Sequence, residues 1–173
     1  MKKTEKIAAA NGSRKSGGNS VDYESPRELD YLLHSIVQGF SIPAFVIGKD
    51  HKIIYWNRAL ERLSGISSSE VVGTNQHWRA FYAHERPCMA DLLMDGEWER
   101  IPKWYAGKYS KSDLLENAYE ATDFFPDLGE KGRWLRFTAA PILDSREQVV
   151  GAVETLEDIT DQKTAELERM ESE

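Results

Sequence analysis

The segment Val149–Met170, VVGAVETLEDITDQKTAELERM, passes from a strand-like pattern into a helical one. Val149, Val150, Ala152, Val153 and Leu156 are apolar and largely β-branched, which favours extended backbone. From Thr164 to Met170 the residues are mostly strong helix formers with alternating charge. Between the two halves stand Asp158 and Thr160, whose short oxygen-bearing side chains suit a helix N-cap. A strand that runs directly into an exposed helix is a route by which a sheet can push on whatever follows it.

The same reading extends back along the chain. Ser25, followed by Pro26 and then Glu28, forms a capping-box signature, and Leu29, Leu32, Leu33, Ile36 and Val37 repeat at helical spacing up to Gly39. Ala44 to Ile47 and Lys52 to Trp56 read as two strands joined by the hairpin-length turn Gly48-Lys49-Asp50-His51. Arg58 to Leu63 reads as a short helix stopped by Ser64-Gly65, and Ser67 or Ser68 caps a further turn that ends at Gly73. Residues 74–110 read as irregular and rich in aromatics. Strand patterns return at Tyr119 to Phe125 and Arg133 to Ile142, and Asp144-Ser145-Arg146-Glu147 turns the chain into the last strand. Five strands, with helices grouped between the second and third, predict an α+β domain whose antiparallel sheet is covered by helices on one face.

Composition narrows the function classes. The 173 residues suit one domain, and 22 basic against 29 acidic side chains give a net charge of −7. Five basic residues (Lys2, Lys3, Lys6, Arg14, Lys15) lie in the first twenty with only Glu5 opposing them, so the body is more acidic than the whole. An acidic body argues against a nucleic-acid partner. Residues 1–24, with AANGSRKSGGNS at their centre, read as a disordered basic tail. One cysteine, Cys88, excludes an internal disulfide and suits a reducing compartment. Ile7-Ala8-Ala9-Ala10 is too short for a signal peptide, and no stretch approaches a membrane span. The sequence therefore reads as a soluble cytoplasmic protein.

The run Ile53-Ile54-Tyr55-Trp56-Asn57-Arg58-Ala59, the following Leu63-Ser64-Gly65 and Glu70-Val71-Val72-Gly73, and the closing Asp158-Ile159-Thr160 together resemble a PAS sensory domain of a bacterial-type signalling protein. The resemblance covers roughly residues 30–162. It implies a PAS-like five-stranded sheet over residues 41–160, an N-terminal helix over 25–40, and the start of an output helix or coiled coil at 161–173. It also implies a site for a small ligand or a partner, homodimerisation, and a downstream signalling domain such as a histidine kinase or diguanylate cyclase of a two-component system. Asp158 and Thr160 become the signal junction, and Asn57 closes the second strand.

The family's cofactors can be checked against these residues. The LOV type carries its reactive thiol in a glycine-x-asparagine-cysteine-arginine motif; the matching stretch here is Gly73 to Arg79, with Gln76 in place of the cysteine. Adduct photochemistry is not expected; the expectation is no cofactor, with non-covalent flavin or haem as the alternatives. Haem members take an axial histidine from the helix before the third strand. Ser112 to Glu120, expected to hold the end of that helix, has none, so haem would fall to His77, His84 or Cys88.

The middle segment, 74–118, gathers aromatics with a few polar groups, the composition of a small-molecule site or of a packed insertion. Asn57, His77, Trp78, Arg79, Phe81, Tyr82, Trp104 and Phe137 are the ligand-pocket candidates, and Arg79 or Arg86 suits a carboxylate. His84-Glu85-Arg86-Pro87-Cys88 nearly spells a zinc-protease helix, but Pro87 breaks the helix that would align His84 with Cys88, and a third ligand is not evident. Cys88 beside an arginine reads either as a redox thiol or as a small buried hydrophobe. Phosphate-binding, nucleophile-elbow and dinucleotide signatures are missing, so no catalyst is expected. Three readings follow: a sensing module relaying through its C-terminal helix, a ligand-free dimerisation module using Leu29, Leu32, Leu33 and Ile36, and a metal or redox centre at His84 and Cys88.

Overall fold

The computed structural model describes residues 25–172. The expected tail, residues 1–24, lies outside that range. Helix α1, Pro26–Gly39, begins where its cap predicts: Ser25 Oγ accepts from the Glu28 amide at 3.3 Å. The hairpin follows as strands β1, Ala44–Gly48, and β2, Ile53–Trp56. His51 occupies its turn with φ of 60°, a left-handed backbone. Helix α2, Arg58–Ser64, ends at Gly65 in the left-handed conformation that glycine adopts without strain, and Ser67 caps the single turn α3, Ser68–Val71.

The middle segment is more ordered than its sequence suggests. It holds a 3-10 turn at His77–Ala80, helix α4 at Met89–Met94, a second 3-10 turn at Trp98–Arg100, and helix α5 at Ile101–Tyr105. None runs two full turns, so no apolar period is long enough to stand out. A sixth strand, β3, Tyr109–Lys111, then opens the second half of the sheet. Its three residues are all exposed and carry no inward-facing apolar signal. Ser112 to Glu120 is therefore not the end of a helix but the turn from β3 into β4, closed by the Ser112 amide on Ala118 O at 2.9 Å.

Strands β4, Tyr119–Phe125, β5, Arg133–Leu143, and β6, Val149–Asp158, lie where the alternating pattern places them, and helix α6, Thr160–Glu171, follows directly. The six strands form one antiparallel sheet in the order β2-β1-β6-β5-β4-β3. Where β1 meets β6, Gly48 pairs with Gly151. A Cβ on Gly151 would stand 2.6 Å from Ile47 O, so the close approach of these two neighbouring strands requires glycine.

One face of the sheet is covered. Phe45, Ile47, Leu135, Phe137, Ala152 and Leu156 point into a core completed by Met89, Leu92 and Leu93 of α4, which lies across β5 and β6. By contrast, α1 buries none of its residues and leans on the β2 edge, where Gln38 Nε2 donates to Trp56 O at 3.1 Å and Gln38 Oε1 accepts from the Arg58 amide at 3.0 Å. Among the described residues no helix is long and apolar enough to cross a membrane.

Candidate functional site

The aromatics of the middle segment meet those of the sheet. Phe81 lies 6.0 Å from Phe125 and 6.3 Å from Phe45 between ring centroids, Tyr82 lies 5.9 Å from Phe125, and Tyr105 lies 5.5 Å from Phe137. These rings occupy the space between sheet and helices, and their edge-on and tilted pairings are those of a packed core. Arg86 covers this cluster from the outside. Its guanidinium sits 3.9 Å from the Tyr82 ring centroid and 4.9 Å from that of Trp104.

Beside the aromatics, the first turn of α4 gathers a polar network from four separate parts of the chain. Asp91, largely buried, takes a bond at each oxygen: Oδ1 lies 2.7 Å from His51 Nδ1, while Oδ2 lies 2.7 Å from His77 Nε2 and accepts from the Cys88 amide at 2.8 Å. His51 continues outward, its Nε2 2.8 Å from Asp95 Oδ1. An imidazole bridging two carboxylates donates from both nitrogens only when doubly protonated. Accordingly, although burial lowers the His51 pKa, the bonds and charges of Asp91 and Asp95 outweigh it and raise the pKa above its ordinary value. Burial also works to raise Asp91, yet the His77 bond and charge, with the His51 bond, hold its carboxyl below the usual range.

Two further groups complete this region. Cys88 is fully buried, and burial, with the charges of Glu154 and Asp91, pushes its thiol well up against the opposing charge of Arg86. This favours the small buried hydrophobe over the low-pKa redox thiol as the reading of Cys88. Glu154 of β6, also buried, accepts from the Ala90 amide at 3.0 Å. A cleft of about 340 Å³ opens onto the network, bounded by His51, His77, Trp78, Arg86, Asp91 and Arg100.

At the far end of β6 the strand-to-helix junction is locked to β5. Asp158 Oδ1 accepts from the Thr160 amide at 3.0 Å and from its hydroxyl at 2.6 Å, and Arg133 pairs with the other oxygen. Thr160 Oγ1 in turn accepts from the Trp134 amide at 3.0 Å, and the Ile159 amide donates to Trp134 O at 2.9 Å. Neither Asp158 nor Thr160 is the N-cap itself. Ile159 holds that position and Thr160 is the first helical residue, so Asp158 satisfies the opening amide from one residue further back.

A profile of the PAS domain matches residues 42–161. The chain belongs to the PAS-domain family. Among solved structures it is similar to the PAS domain of BvgS from Bordetella pertussis, at 14% identity over 84% of this chain and 99% of that one, with a TM-score of 0.51. It is also similar to an RNA-binding light-oxygen-voltage receptor, at 18% identity over 89% of this chain and 40% of that one, with a TM-score of 0.57. At these identities the likeness is one of fold. A search of the curated proteins matches none. The PAS fold is a sensory, non-catalytic one, and this domain is a sensory and signalling module in that general sense.

Within the PAS frame the sequence candidates separate. His77 and Trp78 reach the cleft. Phe81, Tyr82, Trp104 and Phe137 belong to the aromatic packing, while Arg79 is exposed and bonds Gln76 Oε1 at 3.0 Å. Asn57 is fully buried, with its amide spent on backbone: Oδ1 accepts from Ala44 and Leu60 amides at 3.0 Å each, and Nδ2 donates to Ile42 O at 2.8 Å. His84 is exposed, and the histidine beside Cys88 is His77. His51, Asp91, Asp95 and Glu154 were not among the candidates. Glu154 had a legible signal, since it shares the parity of Ala152 and Leu156, both buried.

Proposed function

We propose that this PAS domain is the input module of a cytoplasmic signalling protein, binding a small ligand in the cleft beside His51 and Arg86 and relaying the cleft's state along β6 to α6. One observation carries the reading: β6 holds both Glu154, bonded to the first turn of α4 beside the cleft, and Asp158, four residues on, bonded to the start of α6. A shift of α4 relative to the sheet therefore bears on the same strand that anchors the outgoing helix, and strands in a packed sheet move as stiff units. The cleft volume lies at the small end of ligand sites, and its mixed charges suit a polar metabolite rather than a flat chromophore. Gln76 at the LOV cysteine position supports the same choice, as does the filling of the interior by aromatic rings. The exposed face of α6 supports a downstream domain or protein as its partner. The single cysteine supports the cytoplasmic placement.

The relay is tested without knowing the ligand. Glu154→Leu removes the acceptor of the Ala90 amide and so breaks the bond to α4, and hydrogen exchange is read at the amides of Ile159 to Lys163. Altered protection there, with that of α1 unchanged, supports the relay; identical protection in both proteins overturns it. Native mass spectrometry and a visible absorption spectrum of the purified protein then test for a retained ligand.

A second reading rests on α1, which is 14 residues long and leaves Leu29, Leu33 and Ile36 41–45% exposed while Leu32 is half-buried. An apolar stripe of this kind on a helix with no buried residue fits a second copy of the chain, so we read the module as a homodimer through α1.

A further inference from the structure

One ring nitrogen of His77, Sγ of Cys88 and one carboxylate oxygen of Asp91 all lie within 4.8 Å of one another, and all three residues are buried. Buried polar groups are ordinarily satisfied, because each unsatisfied one forfeits its bonds to water. The bonds from His51, His77 and the Cys88 amide to Asp91 account for the carboxylate and for one side of the His77 ring. They leave His77 Nδ1 buried without a partner, on the side of the ring away from Asp91, and Cys88 is a buried thiol outside any disulfide. An imidazole nitrogen and a thiol sulfur are the donors that soft and borderline metals prefer, and here they stand beside a carboxylate.

We propose that His77, Cys88 and Asp91 bind a divalent transition metal, of which zinc best matches an imidazole, a thiolate and a carboxylate. Tetrahedral zinc ligands at bond lengths of about 2.0–2.3 Å stand about 3.3–3.8 Å apart; with the donors within 4.8 Å of one another no pair has to close by more than about 1.5 Å, and His77 Nε2 and Asp91 Oδ2, now 2.7 Å apart, have to separate slightly. His51, bonded to Asp91 from the cleft side, holds the carboxylate in place as an outer partner. The cleft reaches His77 and Asp91, giving the ion its entry and a fourth ligand from solvent. Binding converts the Cys88 thiol to thiolate and releases that proton to water, so uptake strengthens as pH rises. The site is independent of the relay along β6 and stands or falls by metal binding alone.

The test uses the full chain, stripped with a chelator, dialysed, and titrated with Co²⁺ and then Zn²⁺. The expected result is a single metal per chain, a thiolate-to-cobalt charge-transfer band in the near ultraviolet, and loss of that band on adding Zn²⁺. Cys88→Ser removes the band and His77→Gln weakens binding at least about tenfold, whereas His84→Gln changes neither. Cobalt bound without a thiolate band, no cobalt bound, or equal binding by wild type and Cys88→Ser overturns the proposal. The wild-type spectrum decides the matter even if the core variants fail to fold.

Discussion

Glu154 on β6 bonds the Ala90 amide at 3.0 Å from a position with no access to water. Burial pushes its carboxyl up to about 8; the Ala90 bond opposes this, the Asp91 charge adds to it, and Arg86 opposes it. Tyr82, Tyr105 and Cys88 also face it through the core. An unfolded glutamate titrates near 4.3, so between about pH 4 and 8 the native state holds a proton that the unfolded state lacks. Stability contributed by the protonated form is then lost as pH rises through that window. Glu154→Gln, which cannot ionise, is expected to match wild type near pH 5 and to exceed it above pH 8 by on the order of 3 kcal/mol. Urea midpoints from pH 5 to 9 in the presence of a chelator check this; parallel curves for the two proteins contradict it.

Asn57→Ala removes three bonds at once, two of them buried, and orphans the Ala44 amide in the core. The expected cost is about 2–4 kcal/mol, the sum of a lost cap and an unsatisfied buried donor. Ser67→Ala, which removes an exposed cap from α3, is expected to cost only about 0.5–1 kcal/mol. Denaturant midpoints of the two variants, compared side by side, test whether burial sets the difference.

Thr160→Ala breaks the bond to the Trp134 amide and one of the two bonds to Asp158. It is expected to raise hydrogen exchange across Thr160–Glu171 severalfold while lowering global stability by about 1 kcal/mol. Thr160→Ser keeps the hydroxyl and restores protection. Equal exchange in the alanine and serine variants refutes a role for the hydroxyl.

Leu33→Asp and Ile36→Asp place a charge in the exposed stripe of α1 without touching the core. Sedimentation velocity is expected to show a dimer for wild type and monomers for both variants, with unfolding of the monomer little changed. A wild-type monomer, or variants that still sediment as dimers, argues against α1 as the interface.

The parts of the fold legible in the sequence are those with local chemistry. Ser25 and Pro26 announce α1, Gly65 ends α2, and the period-2 runs give β4, β5 and β6, because caps, left-handed turns and inward alternation leave marks within a few residues. Strand β3 leaves none: Tyr109, Ser110 and Lys111 are exposed and are held by pairing with β4 alone. The polar network was equally silent, since His51 reads as turn filler and Asp91 as a helix-start acid until folding sets them 2.7 Å apart. Their association is a product of topology, brought about by the packing of α4 beside the β1–β2 turn, and no local pattern encodes it. The aromatics of the middle segment were visible as a group, but whether they line a space or fill it depends on ring-to-ring distances that composition does not carry.

The order of the sheet has a consequence for how the protein is made. Two neighbouring inner strands, β1 and β6, come from opposite ends of the domain. During synthesis the β1–β2 hairpin leaves the ribosome with Phe45 and Ile47 lacking their neighbour, and it must wait for nearly the whole domain to follow. The last strand to emerge is the one that closes the core, and the helix it carries emerges immediately behind it. Completion of the fold and delivery of the outgoing helix are therefore a single event, so a chain stalled before β6 exposes an apolar sheet edge for chaperones to recognise and has no connection to anything downstream.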